Sequence, residues 1–199
     1  MIDRKTAFLV IPLLTLLFVA QSVDSCATSV RPVKIRDLFA EADFVAIVKI
    51  VSGDSEHYSK TVYKATVITA FKGTTAGEKI FLGPYDSLGV GSEYLAFMIK
   101  TGGIAPKASP DFNYGSISIF YQIIYGGYSI MPVGYECVFD GKEIKEHCDY
   151  SVQLNTSQII LPSTIKTFPN NSADAITNYK KWVRRDEMVL LVKGFSSFE

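Results

Sequence analysis

Three cysteines, Cys26, Cys137 and Cys148, carry most of the side-chain chemistry that this sequence offers. Thiols pair as disulfides in an oxidising compartment, and an odd count leaves one thiol over. Two arrangements satisfy the count. Either Cys26 is lipidated and the other two cysteines pair, or Cys26 pairs with one of them and one thiol stays free.

The other reactive residue types form no catalytic pattern. The sequence has no Gly-x-Ser-x-Gly elbow, no His-Glu-x-x-His pair, no phosphate-binding P-loop and no dinucleotide-binding fingerprint. His57 lies in a polar stretch that predicts a solvated loop, and His147 beside Cys148 has no second ligand pair to complete a metal site. We therefore predict a protein that is not an enzyme and that has no cofactor.

Residues 1–25 have the three parts of a secretory signal: a basic start, an apolar run over 7–20 and a short polar end over 21–25. The apolar run is shorter than the ~17–25 residues that span a bilayer. Cleavage after Ser25 would make Cys26 the first residue of the mature chain. The prediction is a secreted protein, extracellular or periplasmic.

The charge balance excludes one class of partner. The chain has 20 basic and 20 acidic residues, so it lacks the net positive charge that attracts nucleic acid or an anionic membrane. A membrane contact is predicted only if Cys26 is lipidated. The 11 tyrosines and 13 phenylalanines favour a β-rich fold.

Apolar spacing predicts the secondary structure. Ile35, Leu38, Phe39 and Ala42 follow the spacing of one buried helix face, which predicts a helix over 33–42. Strands are predicted over 44–51, 61–71, 79–82, 93–100 and 117–125, a second helix over 172–185, and a short strand over 188–192.

The pair Asp140-Gly141 between two strand-like runs predicts a two-residue hairpin. In that register Cys137 faces Ile144, and Cys148 lies about 13 Å farther along at ~3.3 Å per residue. A disulfide needs Cα atoms within roughly 7 Å of each other. The predicted hairpin therefore disfavours a Cys137–Cys148 bond and gives weight to a bond between Cys26 and either of them.

Five short motifs follow one another in the first three quarters of the chain: Cys26, Ala40-Glu41-Ala42-Asp43 with Phe44-Val45, Ala70-Phe71-Lys72-Gly73, Gly91-Ser92-Glu93-Tyr94-Leu95, and His147-Cys148-Asp149-Tyr150. Their order resembles that of the N-terminal domain of the tissue inhibitors of metalloproteinases, a netrin-like family. The resemblance covers about residues 26–150. It implies an oligonucleotide/oligosaccharide-binding (OB) barrel.

The fold class predicted in this way is mostly β. It is an OB-fold-like five-stranded barrel with a short N-terminal helix, a β insertion at about 101–134 and a C-terminal helix. The domain organisation is a signal over 1–25, the barrel domain over 26–150, and a C-terminal extension over 151–199 that contains the helix predicted at 172–185.

In that family the N-terminal cysteine chelates the catalytic zinc of the bound protease through its α-amine and its carbonyl oxygen, which displaces the catalytic water. The resemblance implies Cys26 as this ligand and Ala27 as the residue in the specificity pocket. Thr28 and Ser29 lie alongside, and Leu88 in the loop over 84–91 completes the implied inhibitory ridge.

Cys148 matches the family's cysteine after the last barrel strand, so the resemblance implies a Cys26–Cys148 disulfide, with Cys137 as the alternative partner of Cys26. The function implied is an exported, non-enzymatic protein-binding module that inhibits a zinc metalloprotease or binds another protein.

An alternative function follows from residues 23–26, which form an imperfect lipobox. Val23 and Ser25 fit the pattern, whereas Asp24 does not. Acylation of Cys26 would block its amine. The alternative is a lipid-anchored envelope or surface scaffold protein without inhibitory activity.

Overall fold

The computed structural model describes residues 31–54, 61–85, 87–101, 120–137, 148–169 and 180–197. The chain divides into two units, Met1–Arg31 and Pro32–Glu199, and the helices and strands that the structure describes belong to the second. The predicted signal over 1–25 and the predicted ridge residues Cys26, Ala27, Thr28 and Ser29 lie outside the described residues.

Five strands close into a barrel. They are β2 (Phe44–Asp54), β3 (Thr61–Lys72), β4 (Lys79–Tyr85), β5 (Glu93–Lys100) and β6 (Phe120–Ile123). Their order is β5-β2-β3-β4-β6, and β6 also pairs with β5, which closes the ring. The β4–β6 pair is parallel and the other pairs are antiparallel. The fold is mostly β with an OB-fold-like barrel, which confirms the predicted class.

The fifth barrel strand lies within the range that the sequence assigned to a β insertion, about 101–134. Strand β6 falls inside the strand predicted over 117–125 and completes the barrel wall. Tyr121 on β6 is fully buried, and its ring lies 4.5 Å from that of Phe44. Burial of this large ring makes β6 part of the apolar core inside the barrel.

The sheet continues beyond the barrel from β5. Strand β7 (Ile130–Cys137) pairs with β5, β8 (Cys148–Asn155) pairs with β7, and β11 (Lys180–Arg184) pairs with β8. A short strand β10 (Phe168–Pro169) pairs with β11, which gives nine strands in this sheet among the described residues. Strands β1 (Val33–Lys34) and β9 (Ile159–Ile160) form a separate parallel pair.

Strand β5 lies at the centre of this arrangement and is buried on both faces. Tyr94, Ala96 and Met98 belong to the apolar cluster inside the barrel. Leu95 and Phe97 belong to a second cluster on the opposite face of the sheet. Successive side chains of a strand point to opposite faces, so a strand covered on both sides needs an uninterrupted apolar run.

The predicted N-terminal helix is confirmed as α1 (Ile35–Glu41), which is slightly shorter than expected. Ile35, Leu38, Phe39 and Ala42 are all buried in the second cluster. The periodic spacing therefore identified the helix face correctly, because these positions recur every turn on one side.

Two of the motifs that carry the family resemblance contact each other at the end of α1. The ammonium of Lys72 donates hydrogen bonds to the carbonyl oxygens of Phe39 and Ala40, both at 3.3 Å. Gly73 approaches so closely that a Cβ there would lie 1.9 Å from the carbonyl oxygen of Asp43. This contact joins the β3 end to the α1 end, so both motifs have a structural reason for their sequence.

The C-terminal helix lies later than predicted. Residues 180–184, which were assigned to the end of a helix over 172–185, form strand β11, and residues 171–179 lie outside the described residues. The helix is α2 (Arg185–Ser196), so the short strand predicted over 188–192 was wrong. The buried residues Met188 and Val192 are four positions apart, which places them on one helix face.

The register of β7 and β8 contradicts the predicted hairpin. Cys137 lies opposite Cys148, not Ile144, and the pairing runs without a shift to Val133 opposite Val152. Asp140 and Gly141 themselves lie outside the described residues. The argument against a Cys137–Cys148 bond therefore no longer holds, because it depended on a register that the strands do not adopt.

Candidate functional site

The loop between β4 and β5 is held on the barrel by two tyrosine hydroxyls. The backbone N–H of Leu88 donates to the Tyr63 hydroxyl at 3.0 Å, and the N–H of Gly89 donates to the Tyr94 hydroxyl at 2.8 Å. These tyrosines lie on different barrel strands. The loop is therefore fixed at two successive residues, although residues 87–92 form no helix or strand.

Leu88 belongs to the predicted inhibitory ridge. Its side chain is 8% exposed and packs in the barrel cluster. Val90 is 63% exposed and forms the apolar outer surface of the loop. Ser87 adopts a positive φ of 68°, a conformation that is costly for a residue other than glycine.

A groove with a volume of about 490 Å³ opens beside this loop. Its lining residues come from the loop and its flanking strands, from the start of β7 and the residues before it, from β8 and the residues that follow it, and from the start of β11. The groove is lined by Tyr85, Ser87, Leu88, Tyr94, Gly127, Tyr128, Ile130, Met131, Pro132, Gln153, Leu154, Asn155, Gln158 and Lys180.

The lining combines aromatic rings with neutral hydrogen-bonding groups. Tyr85 packs against Gly127, where a Cβ would lie 2.7 Å from the tyrosine hydroxyl oxygen. The amides of Gln153 and Gln158 each offer donors and acceptors to the groove, and Lys180 supplies a cation. Such a mixture suits an uncharged or weakly acidic polar ligand, including a peptide backbone.

The first described strand, β1, lies beside this groove. The N–H of Val33 donates to the carbonyl oxygen of Gln158 at 2.8 Å, and Val33 pairs with Ile159 in the β1–β9 pair. Gln158 is also a lining residue of the groove. The first strand of the barrel unit is thus fixed to one of the groove's own walls.

A second, more highly charged cleft of about 400 Å³ lies between β8 and α2. The hydroxyl of Tyr150 donates a hydrogen bond to Glu93, and the Arg185 guanidinium lies 5.2 Å from the centre of the Tyr150 ring. Burial, together with this hydrogen bond, raises the pKa of Tyr150 to about 12. Arg184 and Asp149 form an ion pair at 3.1 Å. Two of the cleft's charged residues therefore pair with each other, whereas the Nε of Arg185 is buried without a hydrogen-bond partner among the described residues.

Tyr125 and Tyr121 show how the aromatic residues around β6 divide between surface and core. The Tyr125 hydroxyl donates to Glu41, and this hydrogen bond raises the pKa of Tyr125. Tyr121 is buried. Its burial, together with the negative charges of Glu78 and Asp43, raises the pKa of Tyr121 to about 12. These hydroxyls therefore stay protonated at neutral pH and have no evident role as acids or bases.

The predicted site residues are not brought together as one described site. Cys26, Ala27, Thr28 and Ser29 lie outside the described residues, and Leu88 is in the core. His57 and His147 also lie outside them. Within the part of the chain that the structure describes, no group of three histidine, cysteine, aspartate or glutamate side chains could hold a metal ion.

Sequence reasoning missed the groove. Gln153 and Gln158 fall in the predicted C-terminal extension, before its helix, and Lys180 lies within the helix predicted over 172–185. Their common role arises only because β8 and β11 pair across the sheet, with Lys180 opposite Asn155. A local pattern does not report this pairing. The one available signal was the alternation of polar and apolar residues over 148–155, which is typical of a strand.

Among the described helices, none combines the length and the apolar character needed to cross a bilayer. No family model matches this sequence, and neither the curated proteins nor the solved structures include a significant match to it.

Proposed function

We propose that this chain is an exported, non-enzymatic module that binds another protein, and that the groove beside the 87–92 loop contacts the partner. The observation that carries the proposal is the fixation of this loop by Tyr63 and Tyr94. A surface that is already ordered loses less conformational entropy when it binds, so more of the contact energy contributes to affinity.

The chemistry of the groove supports a peptide segment as the bound group. Gln153 and Gln158 present amide donors and acceptors that match those of a peptide backbone, and Tyr85 and Tyr128 present apolar rings with polar ends. The exposed side chain of Val90 adds an apolar contact at the rim. Aromatic residues with a polar rim are typical of protein interfaces.

We further propose that the partner is a zinc endopeptidase and that Cys26 is the residue that binds its zinc. A neutral α-amine and the adjacent carbonyl oxygen form a five-membered chelate, and a ligand in the open position of a catalytic zinc displaces the water that attacks the substrate. The support is the family resemblance of the sequence together with the OB-fold-like barrel. Ala27 then enters the specificity pocket of the protease, with Thr28 and Ser29 alongside.

The test uses the mature protein with Cys26 as its first residue and a panel of zinc endopeptidases that cleave a fluorogenic peptide. The control carries one additional alanine before Cys26, which removes the free amine from the cysteine. We expect inhibition by the first protein and its loss in the second. Equal inhibition by both, or none by either, would contradict zinc binding through Cys26.

The groove is tested separately by reversing one charge. Lys180→Glu changes the groove wall, whereas Lys193→Glu makes the same change on an exposed position of α2 that does not line the groove. We expect the first substitution to weaken binding of the inhibited protease at least tenfold and the second to leave it unchanged. The same affinity for both variants would exclude the groove as a contact surface.

A second candidate function is a lipid-anchored surface scaffold, and the register of β7 and β8 favours it. Cys137 lies opposite Cys148, so the count of three cysteines leaves Cys26 for another modification. Intact mass analysis of the protein exported by its own host distinguishes the two. Acyl chains on Cys26 would block the amine and support the anchored scaffold, whereas an unmodified Cys26 would support the inhibitor.

A further inference from the structure

We infer that Cys137 and Cys148 form a disulfide bond that joins strands β7 and β8. The two residues are direct partners in the antiparallel pair, and the register from Val133 to Cys137 has no shift. The bond would involve two of the three cysteines of the chain and leave Cys26 as the third. This assignment replaces the Cys26–Cys148 bond that the family resemblance implied.

The backbone places the two cysteines on the same face of the sheet. Side chains alternate along a strand, so every second residue of β7 shares a face, and its partners on β8 share that face too. Tyr135 and Tyr150 are the partners two positions away, and their rings lie 4.9 Å apart. This ring contact demonstrates that paired residues of this face meet across the two strands.

The spacing suits a disulfide without movement of the backbone. Directly opposed residues of an antiparallel pair have Cα atoms about 4.5 Å or 5.5 Å apart, depending on whether the pair is hydrogen-bonded. Disulfides form over Cα separations of about 4.4–6.8 Å. Both kinds of pair fall inside this range, so the inference does not depend on which kind Cys137 and Cys148 form.

The sequence carries the same arrangement as a mirrored pattern. Residues 133–137 read Val-Gly-Tyr-Glu-Cys, and residues 148–152 read Cys-Asp-Tyr-Ser-Val. In the observed register each valine, tyrosine and cysteine lies opposite its own kind. Val133 and Val152 are buried in the second cluster, so the face that holds the cysteines begins in the core and fixes the register.

The oxidation is a thiol–disulfide exchange with an external disulfide, such as that of an oxidoreductase or of oxidised glutathione. One protein thiolate attacks the external disulfide and forms a mixed disulfide, with release of one thiol. The second protein thiolate then displaces the remaining half as a thiol. Two protein thiols are thus oxidised to one disulfide, and the external disulfide is reduced to two thiols. In the cell this step depends on the proposed export, because exported chains meet such oxidants.

Peptide mapping of the full mature chain tests the inference. The protein is refolded with glutathione and glutathione disulfide, alkylated without reduction and digested with trypsin, which cleaves after Lys142 and Lys145 and so separates Cys137 from Cys148. We expect one linked pair of peptides that contains these two cysteines, and an alkylated Cys26. A linked peptide that contains Cys26, or three alkylated cysteines, would overturn the inference.

Matched variants provide a second measurement. Cys137→Ser, Cys148→Ser and the double variant are each expected to lower the melting temperature of the oxidised protein by a similar amount, about 5–15 °C, because all three lose the same cross-link. Cys26→Ser is expected to leave the melting temperature unchanged. A fall for Cys26→Ser and Cys148→Ser but not for Cys137→Ser would overturn the inference in favour of a Cys26–Cys148 bond.

The refolding experiment separates this inference from the proposed export. Because glutathione disulfide is supplied, the result does not depend on the compartment in which the protein acts. A linked pair after refolding combined with free thiols in protein from its own host would support the disulfide geometry and contradict export to an oxidising compartment.

Discussion

The hydroxyl oxygen of Tyr63 accepts a hydrogen bond from the backbone N–H of Leu88 at 3.0 Å, across 25 positions of sequence. Tyr63 is 4% exposed and Leu88 is 8% exposed, so the bond lies in the interior. A buried N–H without an acceptor is costly, and here the hydroxyl of Tyr63 is the acceptor. Tyr63 therefore holds the loop at Leu88, while Tyr94 holds it at Gly89 and the backbone of Ile50 on β2 holds it at Gly91 and Ser92.

Replacing Tyr63 by phenylalanine should release the loop. The substitution keeps the ring but leaves the N–H of Leu88 without its acceptor, so we expect the free energy of unfolding to fall by about 1–2 kcal/mol. Urea denaturation measures the loss. Amide hydrogen exchange at Leu88 should also become faster, while exchange in the centre of β5 stays slow.

Tyr121→Phe is the matched control for this substitution. Tyr121 is also a buried barrel tyrosine, but its hydroxyl has no hydrogen-bond partner within the described part of the chain. Its removal should therefore leave stability unchanged or raise it by up to about 1 kcal/mol. If Tyr63→Phe and Tyr121→Phe had the same effect, the hydrogen bond to Leu88 would not be what holds the loop.

Gly73 and Gly77 form a second informative pair. Both have positive φ, 68° and 85°, but a Cβ at Gly73 would lie 1.9 Å from the carbonyl oxygen of Asp43, whereas nothing lies within 4 Å of one at Gly77. Gly77→Ala should lower the free energy of unfolding by the left-handed backbone penalty of about 1–2 kcal/mol. Gly73→Ala adds a backbone clash, and the loss should reach about 3 kcal/mol or more.

Urea denaturation of the two alanine variants checks this difference. A further check is the circular dichroism of Gly73→Ala in the near ultraviolet, because displacement of Lys72 from the end of α1 would disturb the packing around Phe39. If both substitutions lowered the free energy of unfolding equally, β3 could shift away from α1 at little cost. That result would contradict the close approach of Gly73 to the carbonyl oxygen of Asp43.

Alkaline pH should weaken the fold through Tyr121 and Tyr150. Both have a pKa raised to about 12 in the folded protein, mainly by burial, against the value of 10.0 in an unfolded chain. Above pH 10 the unfolded chain loses these protons first, so deprotonation favours unfolding. Their contribution to stability is fully present below pH 10 and is lost as the pH rises toward 12.

Urea denaturation midpoints measured on both sides of pH 10 check this prediction. In Tyr150→Phe the decline should be smaller, because one of the two groups no longer titrates. Glu93→Gln should also reduce it, since it removes the carboxylate that accepts the Tyr150 hydrogen bond and repels the phenolate. An identical decline in the parent protein and in Tyr150→Phe would show that Tyr150 does not contribute.

The sequence predicted those parts of the fold whose signal is local and repeated. The face of α1 was correct because Ile35, Leu38 and Phe39 recur with the period of a helix. The β5 strand was correct because a strand buried on both faces has a continuous apolar run. In both elements the pattern covers the whole element, so no partner has to be known.

The errors arose where pairing across the sheet decides the structure. The Asp140-Gly141 pair is a strong turn signal over two residues, but the β7–β8 register is supported by five consecutive pairs that end at Cys137 opposite Cys148. Trp182 and Val183 lie within the helix predicted over 172–185, yet they pair with Gln153 and Val152 on β8. The groove depends on the pairing of β8 with β7 and with β11, so it could not be predicted without knowing these strand pairs.

The position of α2 gives a final test, because a helix and a strand over the same residues bury different side chains. In the helix, Met188 is 1% exposed and Leu190 is 70% exposed. Met188→Ala should therefore lower the free energy of unfolding by about 2–4 kcal/mol through a cavity in the second cluster. Leu190→Ala should change it by less than about 0.5 kcal/mol. In a strand, residues 188 and 190 would share one face, so similar losses in urea denaturation would contradict the helix and support the strand predicted from the sequence.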